Sequence, residues 1–206
     1  GGANMIDKVT GNRIGSDINK YLISCLQIIR DNPEKLPDIV TEERYKFIKN
    51  NKEQCKEWLV GYCGFALSFG GKWFGGYRRD KKGQIDCIKN MKTQSRRSKE
   101  SAIKQSKKIN GCIFLNTNYN NLSIPSNSII YCDHPYANTT KYKNDFDHEK
   151  FWQWCRQKTR EGNKVFVSEY NAPKDFKCIW LKEINSSLTQ DTGSKKGIEK
   201  LFVYKF

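Results

Sequence analysis

Short apolar runs alternate with helix-length segments along this chain, and this alternation constrains its fold more than any other feature. Residues 13–18, 128–132 and 164–167 have the length and composition of strands. Between the first two, residues 21–29 place apolar side chains at helical spacing, directly after Asn19, a residue type that caps helices. Because alternating strands and helices build a mostly parallel sheet covered by helices, the sequence predicts the α/β class.

The last third of the chain departs from this alternation. Residues 176–184 and 200–206 alternate apolar and polar side chains, which is typical of two antiparallel strands joined by a loop. We therefore expect a three-layer α/β fold, in which the sheet has an antiparallel hairpin at its edge. Residues 128–132 are expected to form a buried strand, and residues 53–67 a single helix.

Positive charge is concentrated in one part of the sequence. The formal net charge of the chain is +15, and residues 72–110 hold thirteen basic and three acidic residues. Just before and within this block, residues 68–79 interleave glycines, aromatic residues and cations, which we interpret as an exposed loop. Such a block attracts a polyanion such as nucleic acid. The alternative is a solvated lysine-rich surface without a partner.

The cysteine and histidine content argues against a zinc-binding protein and against a disulfide-linked one. The eight cysteines form no Cys-x-x-Cys pair, and the two histidines lie near no pair of cysteines, so no metal site is predicted. Dispersed cysteines are typical of reduced thiols in a cytosolic protein, whereas a disulfide framework is less favoured. No apolar run reaches the length of a membrane-spanning helix, and no membrane partner is expected.

Polar residues stand at the ends of two predicted strands, and glycines stand at the start of the chain. Asp17 closes the strand at 13–18, Asp133-His134-Pro135-Tyr136 follows the strand at 128–132, and the chain begins Gly1-Gly2-Ala3. Ligands of open α/β sheets bind beyond the carboxyl ends of the strands, which makes these residues candidates for a binding site. Simpler interpretations are a frayed terminus for the glycines, a helix cap for Asp17 and an ordinary turn at Pro135.

These motifs resemble those of Dam-type DNA adenine N6-methyltransferases, in particular the short phage and bacterial members. Gly1-Gly2-Ala3-Asn4-Met5 is similar to the tail of the family's Phe-x-Gly-Gly cofactor motif, and residues 13–19 to its second motif. Asp133-His134-Pro135-Tyr136 resembles the catalytic Asp-Pro-Pro-Tyr motif, and residues 165–170 and 199–203 resemble later strands. The motifs occur in the family's order and extend over nearly the whole chain.

The resemblance implies a Rossmann-like S-adenosylmethionine-dependent methyltransferase sheet with a C-terminal antiparallel hairpin and an inserted target-recognition region. Residues 1–52 and 111–206 are then expected to form the catalytic domain, and residues 53–110 the basic and aromatic target-recognition region. The family's first strand and the start of its glycine motif would precede Gly1. We therefore expect this chain to be part of a longer reading frame and to bind the cofactor weakly by itself.

The implied function is methyl transfer from S-adenosylmethionine to the N6 amine of an adenine flipped out of double-stranded DNA, in the cytoplasm of a bacterial or phage-infected cell. The expected catalytic residues are Asp133, His134, Pro135 and Tyr136. The expected cofactor-binding residues are Gly1, Gly2, Ala3, Asp17, Ile18, Asn118 and Asp133. The expected DNA-binding residues are Lys72, Trp73, Tyr77, Arg78 and Arg79.

Two alternatives stay open at this stage. One is a nucleic-acid-binding remnant that has lost catalysis; the other is transfer to a different exocyclic amine, that of cytosine N4 or of RNA adenine. His134 stands where the family has proline. Since the family uses the backbone carbonyl there, any residue can supply it, and a role for the imidazole as general base is not required.

Overall fold

The computed structural model of the protein describes residues 2–79, 93–135, 146–185 and 196–205. The chain divides into two compact units, Gly1–Leu122 and Ser123–Phe206. Each unit combines helices with parallel strands, which confirms the α/β class. Among the described residues, no helix is both long and apolar enough to cross a membrane.

In its described residues, the first unit contains four α-helices, several short helical turns and a parallel pair of strands. Its elements in chain order are β1 (Ile14–Asp17), α1 (Lys20–Asp31), α2 (Glu42–Asn50), α3 (Glu57–Gly61), α4 (Gln94–Ile109) and β2 (Ile113–Asn116). Asp17, the last residue of β1, pairs with Asn116, the last residue of β2. The carboxyl ends of the two strands therefore lie side by side.

Helix α1 forms for the reasons that the sequence indicates. The side chain of Asn19 accepts hydrogen bonds from the backbone N–H groups of Tyr21 and Leu22, which would otherwise lack a partner at the helix start. The apolar positions of the helix recur at helical spacing and are buried; they are Leu22, Ile23, Cys25, Leu26 and Ile29. α1 thus contributes one continuous apolar face to the core of the unit.

The predicted single helix over 53–67 is wrong in its extent. The structure has α3 over five residues and then a wider π-helical turn over Tyr62–Ala66. The backbone carbonyl of Gly64 accepts a hydrogen bond from the N–H of Phe74, 2.8 Å away, so that the following loop takes an acceptor that a longer helix would use. Close packing on both sides of this turn, at Gly61 and Gly64, fixes where the regular helix ends.

The interpretation of residues 68–79 as an exposed aromatic loop is also wrong for its aromatic side chains after Phe69. Trp73 stacks on Tyr21 with ring centroids 5.7 Å apart and contacts Phe65, and Phe74 is buried. A Cβ atom at Gly64 would overlap the Trp73 ring, so this glycine makes the room that the indole occupies. The glycines of this region thus serve the packing of the core as well as the turns.

The second unit contains a mixed sheet of four strands and one helix. Its elements are β3 (Ile129–Cys132), α5 (His148–Arg160), β4 (Lys164–Glu169), β5 (Phe176–Asn185) and β6 (Lys196–Tyr204), and the strand order is β3-β4-β6-β5. β3 and β4 are parallel and joined through α5. The predicted terminal hairpin is confirmed, but β6 lies between β4 and β5 and is antiparallel to both, so β5 alone forms that edge.

Strand β3 is not the buried strand that its apolar sequence predicts. Ile129 is 72% exposed and Tyr131 38% exposed, while the intervening Ile130 and Cys132 are partly buried. Alternate side chains of a strand point to opposite faces, so the exposed residues share one face. In the described part of this unit, β3 is an edge strand. The sequence alone could not show that one face of this strand is exposed.

The cysteines described by the structure fall into two groups that a labelling experiment separates. Cys25, Cys63, Cys112 and Cys155 are buried, whereas Cys55, Cys132 and Cys178 are partly exposed. Burial raises the pKa of Cys25 and of Cys63 to about 12, so both stay protonated and unreactive at pH 8. With a maleimide reagent and peptide mapping, we expect the second group to react quickly and the first only after denaturation. Rapid labelling of Cys25 or Cys63 in the folded protein would contradict this core.

Candidate functional site

The catalytic motif begins where β3 ends. Asp133 directly follows the strand and is exposed, whereas His134 is buried. In the pairing of β3 with β4, Cys132 lies opposite Val167. If this register is continued by two residues, His134 lies opposite Glu169. Side chains at paired positions of neighbouring strands lie on the same face. The strand register therefore brings the second residue of the motif to the last residue of β4.

His134 and Glu169 form a close buried pair. The imidazole Nε2 lies 3.2 Å from Oε2 of the carboxylate, and both side chains are at most 5% exposed. The other carboxylate oxygen, Oε1, accepts a hydrogen bond from the backbone N–H of Tyr170 at 2.7 Å. This contact holds the carboxylate against the end of its own strand. The pair thus ties the loop after β3 to the end of β4.

The imidazole of His134 is surrounded by aromatic rings from α5 and the residues just before it. Its centroid lies 4.2 Å from that of Phe151 and 5.2 Å from that of Phe146. Burial lowers the pKa of His134 to about 4, and repulsion by His148 adds to the decrease. Because the pKa lies well below 7, the ring is neutral at physiological pH and one of its nitrogens carries a lone pair.

A third polar side chain completes this cluster. His148 is the first residue of α5, and its ring centroid lies 5.6 Å from that of His134. One potential ligand atom from each of His134, His148 and Glu169 lies within 4.8 Å of the other two. We name these three side chains the His–His–Glu cluster. The sequence predicted no metal site and missed His148 and Glu169; the available signal was that one histidine of the chain lies within the catalytic motif and the other twelve residues after Tyr136.

Three of the cofactor-binding residues predicted in the first unit lie at the carboxyl ends of β1 and β2. Asp17 is half-buried, while Ile18 is 65% exposed and Asn118, two residues beyond β2, is also exposed. The side-chain amide of Asn116 donates to the backbone oxygen of Asp17 at 2.9 Å, which holds the two strand ends together. The structure thus places Asp17, Ile18 and Asn118 along one edge, where α/β sheets bind ligands.

The carboxylate of Asp17 already has a structural task. Its Oδ1 accepts a hydrogen bond from the backbone N–H of Asn19 at 2.7 Å, just before α1. Asn19 itself is the capping residue, so Asp17 supports the turn and does not cap the helix. A carboxylate offers about four acceptor positions, which leaves capacity for hydroxyl groups of a ligand.

The predicted glycine motif lies in the first unit, and the contacts of Gly2 and Ala3 are made away from the ends of β1 and β2. The side-chain amide of Gln105 in α4 donates to the backbone oxygen of Gly2 at 2.8 Å. The oxygen of Ala3 accepts from the N–H of Asp7 at 3.3 Å and closes a turn in which Ala3 has a positive φ of 58°. Neither contact involves the strand ends that hold Asp17. Gly1 lies outside the described residues.

The predicted DNA-binding residues separate into cations at the surface and aromatic residues in the core. Lys72, Arg78 and Arg79 are exposed, whereas Trp73 and Tyr77 are half-buried. The Tyr77 hydroxyl donates to the backbone oxygen of Val40 at 2.7 Å, and Trp73 packs as described above, so both side chains support the unit rather than project from it. This corrects their prediction as exposed base-reading groups.

Arg79 differs from the other two cations because it has a carboxylate partner. Its guanidinium makes two hydrogen bonds to Glu42, of 2.9 and 2.7 Å, and this contact lowers the pKa of Glu42. A phosphate would have to compete with that carboxylate for Arg79. Lys72 and Arg78 are therefore the better candidates for contacts with DNA phosphates.

Other predicted residues fall outside the part of the chain that the structure describes. These include Tyr136, the last residue of the catalytic motif, and the basic residues between 80 and 92. Pro135, which precedes Tyr136, is partly buried and follows His134 directly. No protein-family model matches this chain, and no curated protein matches it.

Proposed function

We propose that this protein is a DNA adenine N6-methyltransferase that uses S-adenosylmethionine. The observation that carries the proposal is the placement of Asp133, the first residue of the Asp-x-Pro-Tyr motif. It stands exposed at the carboxyl end of the parallel strand β3, while the next side chain is buried. An exposed acceptor at this kind of strand end is suited to meet a ligand.

The exocyclic amine of adenine is a weak nucleophile because its lone pair is delocalised into the ring. An acceptor placed at its N–H groups favours the tetrahedral nitrogen that develops during attack, which is electrostatic preorganisation. In the proposed reaction the Asp133 carboxylate is one acceptor, and the backbone carbonyl of residue 134 is the second. Because the second acceptor is a main-chain group, the replacement of the usual proline by His134 leaves it in place.

The cofactor supplies a methyl group bound to a positively charged sulfur. The donor set on the first unit fits the polar part of such a molecule: the Asp17 carboxylate and the exposed Asn118 amide can accept from or donate to hydroxyl and amine groups. Ile18, exposed beside Asp17, offers an apolar surface for an aromatic ring. These residues would bind and orient the cofactor, and none of them needs a metal ion to do so.

Among the described residues, each of the two sheets ends in strands that have one unpaired side. β1 pairs with β2 alone, and β3 pairs with β4 alone, among the described residues. Ile129 on β3 and Ile14 on β1 are exposed, and apolar edge strands are sites for pairing with further strands.

Methyl transfer from labelled S-adenosylmethionine to double-stranded DNA tests the proposed function. The purified protein is incubated with duplex DNA that contains adenine in all sequence contexts. We expect label in the DNA that depends on protein, on cofactor and on the duplex. DNA binding without binding of S-adenosylmethionine would instead select the interpretation as an inactive remnant.

Binding of DNA by the basic surface gives a separate prediction. Arg78 is exposed, and a phosphate contact made by this side chain releases condensed counterions. We expect Arg78→Gln to reduce the magnitude of the slope of log K against log salt by about 0.9. Lys35→Gln, which changes an exposed lysine outside the basic block, should leave the slope unchanged. Equal slopes for wild type and Arg78→Gln would remove Arg78 from the interface.

A further inference from the structure

We propose that the His–His–Glu cluster binds one divalent transition-metal ion of the zinc class. His134, His148 and Glu169 would each supply one ligand atom to the ion. All three residues belong to the second unit, so the site is complete within it. The inference concerns metal binding and does not depend on methyl transfer.

The distribution of histidine in the chain supports this site. The sequence of 206 residues contains only two histidines, and the fold brings both together although thirteen residues separate them. One arrives from the end of β3 and the other from the start of α5. The carboxylate that faces them comes from a third element, β4. Three elements thus converge on one point with the side chains that bind metals most often.

The geometry requires only a small adjustment to hold an ion. Ligands of a tetrahedral zinc ion at about 2.0–2.2 Å lie roughly 3.4 Å from one another. His134 Nε2 and Glu169 Oε2 already lie 3.2 Å apart, and the largest separation in the cluster is 4.8 Å. His148 is the less buried histidine and begins its helix, so rotation of its side chain can close the remaining distance.

The ligand types indicate which metals fit. Two imidazoles and one carboxylate form the donor set of open zinc sites, in which a fourth position is left for water or another ligand. The hard ions Mg²⁺ and Ca²⁺ prefer oxygen ligands throughout and match this set poorly. The hydrogen bond from the Tyr170 N–H to the second oxygen of Glu169 orients the carboxylate, as second contacts around metal ligands do.

The dipole of helix α5 opposes metal binding, but its effect is weaker than that of the ligands. His148 lies at the start of α5, where the helix dipole disfavours a cation. That effect is small compared with three metal–ligand bonds, and the buried carboxylate of Glu169 offsets it.

Titration calorimetry with Zn²⁺ on tag-free, chelator-treated protein tests the site. We expect one ion per chain, and at least about 100-fold weaker binding in His148→Ala. Loss of a residue that only contacts a metal ligand already lowers metal affinity by about 10–100-fold, and His148 is itself a proposed ligand. His148 is partly exposed, so this variant should fold, and circular dichroism verifies that. Glu161→Gln, an exposed carboxylate in the same unit, and Cys178→Ser should bind as the wild type does.

Substitution by Co²⁺ identifies the ligands independently. Binding by the cluster predicts visible absorption of a four- or five-coordinate ion without thiolate-to-cobalt charge transfer. The proposal fails if the wild type binds no Zn²⁺, if His148→Ala binds it with unchanged affinity, or if the Co²⁺ spectrum shows cysteine ligation. None of these readouts uses DNA or S-adenosylmethionine, so their outcome is distinct from that of the methyl-transfer assay.

Discussion

Under the proposed function, we expect Asp133→Ala to lower the rate of methyl transfer to DNA by about 10²–10³-fold or more, because the proposed role of Asp133 is that of an acceptor for the developing charge of the reacting amine. The folded protein should tolerate this change. Asp133 is exposed, and exposed substitutions of this kind usually change the free energy of unfolding by at most about 0.5 kcal/mol. Single-turnover assays with labelled cofactor, together with thermal unfolding of the same samples, separate the two effects.

Two further variants sharpen this experiment. Asp133→Asn keeps a neutral acceptor oxygen and should retain more activity than Asp133→Ala. Glu161→Gln changes an exposed carboxylate directly after α5 and should leave the rate within twofold of the wild type, a range of about 0.4 kcal/mol in activation free energy. Unchanged transfer by Asp133→Ala would remove this residue from the reaction, and with it the role assigned to the motif.

Gly61→Ala destabilises the first unit by about 3 kcal/mol or more, or prevents it from folding. A Cβ atom at this position would overlap the backbone oxygen of Tyr21 and approach the Cβ of Cys25 to 2.8 Å. Both atoms belong to α1, so the two helices would have to separate. Alanine is the better helix former by about 1 kcal/mol, but this gain is smaller than the cost of the overlap. Chemical denaturation measures the difference.

Gly2→Ala is the matched control for this substitution. A Cβ atom there would meet only the side chain of Asn4, at 3.6 Å, which is an ordinary contact distance. We expect its free energy of unfolding to stay within about 0.5 kcal/mol of the wild type. If Gly61→Ala were as stable as this control, the close approach of α3 to α1 would be wrong.

The elements that the sequence predicted well are those with local causes. Helix α1 follows from the Asn19 cap and from apolar residues at helical spacing, and Thr41 caps α2 in the same way. The elements that it missed depend on contacts between distant residues. The burial of Trp73 needs the missing side chain of Gly64, and the insertion of β6 between β4 and β5 is a property of the sheet.

The candidate site also has parts with local causes, which the sequence predicted, and parts that depend on contacts between distant residues. A polar residue after an apolar run identified Asp17 and Asp133 as strand ends, and the structure places both there. The contact between His134 and Glu169 was not predictable, because it depends on the register of β3 against β4. The structure places the side chain of His134 in the His–His–Glu cluster, whereas the proposed reaction uses only the backbone carbonyl of this residue.

The central claim is that the product of this protein is N6-methyladenine in DNA. Duplex DNA treated with the protein and S-adenosylmethionine should be digested to nucleosides and analysed by mass spectrometry. The account predicts N6-methyldeoxyadenosine in wild-type samples and none in Asp133→Ala samples. A product methylated at cytosine N4, methylation of RNA alone, or no methylated nucleoside from active-site-intact protein would contradict it.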